Sequence, residues 1–253
     1  MPYAKNGDVN IYYEVEGEGE PLVLLHGGGA SLESWRGAGY VEALKQDYQI
    51  ILIDERGQGK SDKPHDSESY NIEYRVSDVT IVLDNLGIIS SHFFGYSYGG
   101  RICLECARFV PDRVKSLIIG GMGPMGKTPD GSNPVLQLYA AGPDALIANL
   151  EQSGPLPADL KAQFLANDFD AMVAILKSPW PNLEEYLPDM NMAALIIIGE
   201  SDKLWPFKEI GESYRVLTNM TFISLPNLDH GEAFIRSDQV LPHIKEFLTK
   251  VIK

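Results

Sequence analysis

The chain has 253 residues, enough for one large α/β domain or two small ones, and its 44% hydrophobic and 22% charged content is that of an ordinary globular protein with a proper core. Its formal net charge of −14 argues against nucleic-acid binding, because a phosphate backbone needs a basic surface, and weakly against anionic membranes. The start MPYAKNGDVN lacks a charged-then-apolar leader and no apolar run approaches about 18 residues, so a cytoplasmic protein without a membrane span is expected.

Ala4 to Gly19 alternates polar and apolar residues around Asn6-Gly7-Asp8, which predicts a hairpin. Short apolar runs follow at Leu22 to Leu25, Ile50 to Ile53, His92 to Phe94, Leu117 to Ile119, Leu195 to Ile198 and Thr221 to Leu225. Such runs suit strands covered on both faces, as in a parallel sheet. Helical spacing separates them over Ile72 to Leu86, Gly99 to Phe109, Phe207 to Leu217 and Val240 to Ile252. The alternation predicts a doubly wound, mostly parallel α/β fold.

Pro124 to Pro188 breaks that rhythm, with nine of the sixteen prolines and no buried-strand pattern. Its candidate helices are Val135 to Ala140, Asp144 to Gln152, Asp159 to Leu165 and Ala171 to Lys177. A helical insertion there reads as a cap over the carboxyl ends of the sheet, where ligands of open α/β sheets bind. The expected organisation is a core of residues 1–123 and 189–253 with a cap of residues 124–188. Cys103 and Cys106 share one face of a predicted helix and read as reduced core cysteines.

The run HFFGYSYGGRICLECA reads as strand, tight turn and helix. A serine on that turn, Ser97, is held above the sheet with its hydroxyl exposed, and the sharp turn demands small residues at Gly95 and Gly99. Serine needs a base oriented by a third group. Of the five histidines, His230 follows the last strand on a loop at the sheet's carboxyl edge and is the best base. His65 reads as solvated, His92 and His243 as structural, and His26 as shaping a loop. Asp202, on the loop after Ala194 to Ile198, is the preferred acid over Glu200, Asp54 and Asp229. The oxyanion should meet the N–H groups of Tyr98 and Gly28, with Gly29 as the fallback for Gly28.

With HGGGAS, DERGQGKS, GYSYGG, GESD and LDHGEAF in this order, the sequence resembles the α/β-hydrolases of the short-lid serine esterase type over nearly the whole core. The resemblance implies Ser97 as nucleophile, Asp202 as acid, His230 as base and an oxyanion hole at Gly28 and Tyr98, with no metal or organic cofactor. It implies a structural turn for Asp54, Arg56, Gly57 and Ser61. Epoxide hydrolases and haloalkane dehalogenases of this fold carry aspartate where Ser97 stands, whereas esterases, lactonases, carbon–carbon bond hydrolases, perhydrolases and some hormone receptors share the serine. From Pro124 to Met190 there are nine acidic residues, three lysines and no arginine, which disfavours anionic substrates unless Arg56 or Arg101 serves. A small neutral ester or acyl compound is therefore the expected partner. Of the apolar cap residues Leu136, Tyr139, Leu146, Phe164, Phe169, Met172, Val173 and Trp180, most are expected to pack the cap onto the core.

Overall fold

The computed structural model describes residues 3–126, 133–153, 156 and 158–252. Eight strands form one sheet: β1 (Tyr3–Asn6), β2 (Val9–Glu16), β3 (Glu20–Leu25), β4 (Tyr48–Ile53), β5 (Ser91–Tyr96), β6 (Val114–Gly120), β7 (Ala193–Gly199) and β8 (Met220–Leu225). Their spatial order is β1-β2-β4-β3-β5-β6-β7-β8. β1 and β2 form the predicted hairpin, turning at Gly7 with φ of 62°, and β2 joins β4 antiparallel. All later pairings are parallel.

The central strands carry unbroken apolar runs, such as Leu22–Leu25, Ile50–Ile53 and Leu195–Ile198, because helices cover both sides. Side chains alternate across the sheet. Val23, Leu25, Ile51, Ile53 and Phe93 enter one core, and Leu22, Leu24, Ile50, Leu52 and Phe94 the other. α1 (Glu33–Gly37) and α2 (Tyr40–Leu44) precede β4, and α3 (Ile72–Asn85) and α4 (Tyr98–Phe109) flank β5. α3 and α4 supply Val76, Val79 and Ile102 to the first core; α1 and α2 bring Trp35 and Tyr40 to the second.

Between β6 and β7 lie α5 (Pro134–Ala140), α6 (Pro143–Leu150), α7 (Ala158–Leu165) and α8 (Phe169–Lys177), matching the four expected cap helices within two residues. Of the insertion's counted residues, Lys127 and Asp130 and the prolines at 129, 155 and 157 lie outside the described residues. Asp168 caps α8 by accepting the Ala171 N–H at 3.0 Å. The insertion is fastened at both ends to α4. The Arg101 guanidinium donates to the carbonyls of Pro124 and Met125 on one side and of Pro181 on the other. Glu105 holds Arg101 at 2.8 Å and Arg75 at 2.7 Å, all three buried.

After β7 come α9 (Phe207–Tyr214), α10 (His230–Ile235) and α11 (Ser237–Val251). Among the described residues no helix is long and apolar enough to cross a membrane. Cys103 and Cys106 are buried free thiols on α4, and burial pushes both thiols up, away from the reactive thiolate.

Candidate active site

Ser97 joins β5 to α4 with φ of 51° and ψ of −115°, a conformation that costs a non-glycine residue steric energy. The neighbours show why it is tolerated. A Cβ on Gly95 would overlap the Gly99 carbonyl, and one on Gly99 would overlap the Leu25 carbonyl. Two bare backbones therefore let the turn close against β3. The strain lifts the Ser97 hydroxyl off the helix it begins; it makes no capping bond to α4.

That hydroxyl lies 3.0 Å from His230 Nε2, and His230 Nδ1 lies 2.7 Å from Asp202 Oδ2. Asp202 is buried, and its other oxygen accepts the N–H groups of Leu204 and Trp205 at 2.8 and 2.9 Å. The carboxylate is thereby fixed with one oxygen toward the imidazole. The three residues named from sequence are thus brought together, and the competing acids stand elsewhere. Glu200 accepts from Ser224 at the surface, Asp54 accepts the N–H groups of Leu32 and Lys60, and Asp229 caps a helix.

This last point corrects the expected setting of His230. It is not on a loop but is the first residue of α10, because Asp229 and Glu232 form a reciprocal capping box. Tyr96 secures it further by donating to the His230 carbonyl at 2.6 Å.

Gly28 and Tyr98 line the same cavity as Ser97, and a Cβ on Gly28 would come 3.7 Å from that of Tyr98. Neither N–H is engaged by another group among the described residues. The fallback Gly29 is different: its N–H donates to Gln58 Oε1 at 2.6 Å. Gln58 is buried and its amide nitrogen donates to Glu55 at 3.0 Å. From the insertion, Asn167 Nδ2 donates to the Gly29 carbonyl at 2.9 Å. The glycine loop is gripped from below and above, which leaves the Gly28 N–H as the unengaged donor. Gln58 and Asn167 escaped the sequence reading because their partners are distant in sequence.

The remaining histidines have other work. His26 is buried beside Gly27 O at 2.9 Å and accepts the Glu55 N–H at 3.3 Å, and burial lowers its pKa. His92 is buried against Ser116 at 2.7 Å, with its pKa lowered by burial. His65, expected to be solvated, is exposed but pairs with Asp168 at the start of α8 at 3.0 Å, which raises its pKa. With Asp170 these two form the one group of metal-type ligands gathered among the described residues, and none of the three lines the cavity. The turn after β4 behaves as expected: Arg56 forms a bidentate pair with Asp78, and Ser61 ties Asp54 O to the Tyr12 N–H.

Above Ser97 lies a cavity of about 470 Å³. Five of the eight apolar cap residues named from sequence line it: Tyr139, Leu146, Phe164, Met172 and Trp180. All five also belong to the core cluster or pack against it, so the expected packing role holds and lining the cavity is added to it. A helix lining an apolar cavity shows the same pattern as one seated on a core. No lysine, arginine, aspartate or glutamate is among the described lining residues. Arg56 and Arg101 are both buried, paired elsewhere and absent from the wall.

Comparison with known proteins agrees with this architecture. A family model described as alpha/beta hydrolase fold matches residues 20–154. RutD of Azorhizobium caulinodans, provisionally named a carbamate hydrolase, is 40% identical over 119 residues, 47% of this chain and 43% of its own. Bifunctional epoxide hydrolase 2 of Sus scrofa is 31% identical over 170 residues, 63% of this chain and 30% of its own. The chain thus spans less than half the length of these relatives. The enol-lactonase from Burkholderia xenovorans superposes with a TM-score of 0.85 at 23% identity, covering 98% of this chain and all of that one.

Proposed function

This chain belongs to the alpha/beta hydrolase fold family, and we propose that it is a serine hydrolase cleaving a small to medium, uncharged carboxylic ester or related acyl compound. One observation carries the reading: a Ser97–His230–Asp202 relay at the floor of a cavity with no lysine, arginine, aspartate or glutamate among its described lining residues. In this reading residues 124–188 act as a cap on a core of residues 1–123 and 189–253.

Ser97 Oγ attacks the carbonyl carbon while His230 Nε2 takes its proton. Asp202 holds Nδ1–H and stabilises the imidazolium. The carbonyl oxygen, now an alkoxide, sits on the N–H groups of Gly28 and Tyr98, the latter at the positive end of the twelve-residue α4. Collapse of the intermediate breaks the bond to the alkoxy group, which leaves with the proton from His230. Water then attacks the acyl-enzyme by the same relay, releasing the acid and restoring the serine. The side-chain chemistry is complete with these residues.

The epoxide hydrolase relative does not extend to this reaction, since serine stands at position 97. The 40% identity to RutD favours a second acyl class, carbamates, whose carbonyl would meet the same donors. A fluorophosphonate probe should label the wild type and leave Ser97→Ala unlabelled; equal labelling of both defeats the nucleophile assignment. A series of p-nitrophenyl esters beside carbamate analogues, compared by kcat/KM, then separates the two acyl classes and reads the depth of the cavity.

A further inference from the structure

Tyr139, on α5, is 4% exposed and lines the cavity, yet its hydroxyl has no hydrogen-bond partner among the described residues. Four other buried tyrosines of this protein spend theirs on backbone carbonyls: Tyr40 on Phe234, Tyr70 on Pro64, Tyr96 on His230 and Tyr214 on Met122. Tyr98 also lacks a partner, but the charged groups acting on it, Arg75, Glu55 and Glu105, belong to the core behind the nucleophile. Tyr139 feels no such groups: burial alone pushes its pKa up to about 12, so at neutral pH it is a protonated donor in apolar surroundings.

Its position is specific. The hydroxyl rests against Gly29, where an added Cβ would overlap it. The Gly29 carbonyl receives Asn167 instead, and the Gly29 N–H is held by Gln58. A hydroxyl that faces a mainly apolar cavity and has no protein acceptor is free to pair with an oxygen that a ligand brings. The scissile carbonyl is served at Gly28 and Tyr98, one residue away along the loop. Resting on the acyl-hydrolase reading above, we propose that Tyr139 Oη donates to a second oxygen of the substrate, so that the preferred acyl compounds carry an ether, hydroxyl or keto oxygen besides the scissile carbonyl.

A site built to pair a substrate oxygen discriminates against the analogue lacking it. The test uses p-nitrophenyl hexanoate and the isosteres in which one chain methylene after another is replaced by an ether oxygen, on wild type and Tyr139→Phe. At one oxygen position the wild type should prefer the ether ester over the hexanoate by roughly 10-fold more than Tyr139→Phe does. The all-carbon ester is the reference within each protein, so that a general change in turnover cancels, and the melting temperature of Tyr139→Phe should be unchanged or raised, since only an unpaired hydroxyl is removed. The same preference in both proteins at every position overturns the proposal. So does an equal loss on all esters, which would assign the hydroxyl to the oxyanion or to packing. Turnover of no ester by the wild type would overturn the hydrolase reading with it, whereas turnover blind to Tyr139 overturns this inference alone.

Discussion

Asp202 and His230 stand after the adjacent parallel strands β7 and β8 and meet at 2.7 Å, although 28 residues separate them in the chain. The other Asp202 oxygen is committed to the Leu204 and Trp205 N–H groups. In Asp202→Asn the amide oxygen must take those two donors, which turns its NH₂ toward His230 Nδ1 and forces the wrong imidazole tautomer. We expect kcat on p-nitrophenyl hexanoate to fall by about 10⁴-fold with little change in melting temperature. A loss below tenfold would remove Asp202 from the relay.

Gln58 acts on the reaction only through Gly29. Gln58→Leu leaves the Gly29 N–H buried without a partner, so the glycine loop should shift and the Gly28 N–H lose its aim. The full loss of one oxyanion donor costs about 10²–10³ in kcat, and a displaced donor should lie at or below that range. The expected result is a fall in kcat of roughly 10- to 100-fold with KM nearly constant. Should KM rise while kcat holds, Gln58 shapes the binding cavity instead.

Gly99 has no room for a methyl group, because the Leu25 and His26 carbonyls occupy the position. Gly99→Ala must therefore part α4 from β3, the contact on which the strained Ser97 turn depends. We expect no cooperative thermal transition, or one lowered by more than about 4 kcal/mol of stability, in a far-UV circular dichroism melt. Near-native melting would mean that the turn relaxes more readily than its geometry implies.

Glu55 is buried with one oxygen unpartnered, and burial together with Asp54 raises its pKa well above the carboxylate range. A raised folded-state value means that its contribution to stability is present below about pH 4.5 and is lost as pH rises through the folded value. Glu55→Gln removes that loss, so its melting temperature minus that of wild type should grow from pH 5 to pH 8. The underlying slope is at most about 1.4 kcal/mol per pH unit. His92 works in the opposite sense: its folded value is lowered, so stability falls with acidification below about pH 6.5, equally in both proteins. A difference independent of pH would show Glu55 to be ionised in the folded protein.

The sheet was legible because strands such as Ile50 to Ile53 and Leu195 to Ile198 are buried on both faces and read as unbroken apolar runs. Ser97, Asp202 and His230 were legible because each follows such a run. The two short helices Glu33–Gly37 and Tyr40–Leu44 carry too few turns for a periodicity to stand out. The start of α10 is written in Asp229 and Glu232, three apart, a capping pattern that the placement of His230 directly after a strand does not reveal. Gln58, Asn167 and the cavity-facing set of cap residues depend on which distant groups meet, and local pattern carries no information on that.

Arg101 gathers both ends of the insertion onto one guanidinium, beside the carbonyls of Pro124 and Pro181. The ends are thus fixed in separation before anything between them is specified. Closing a flexible loop between fixed ends costs only about 0.6 kcal/mol more for each doubling of its length. The helices over Ser97 are in this sense an exchangeable cassette together with the Asn167 clasp on the Gly29 carbonyl: a segment of another length that keeps both anchors and that clasp reshapes the cavity while the strands beneath keep their register.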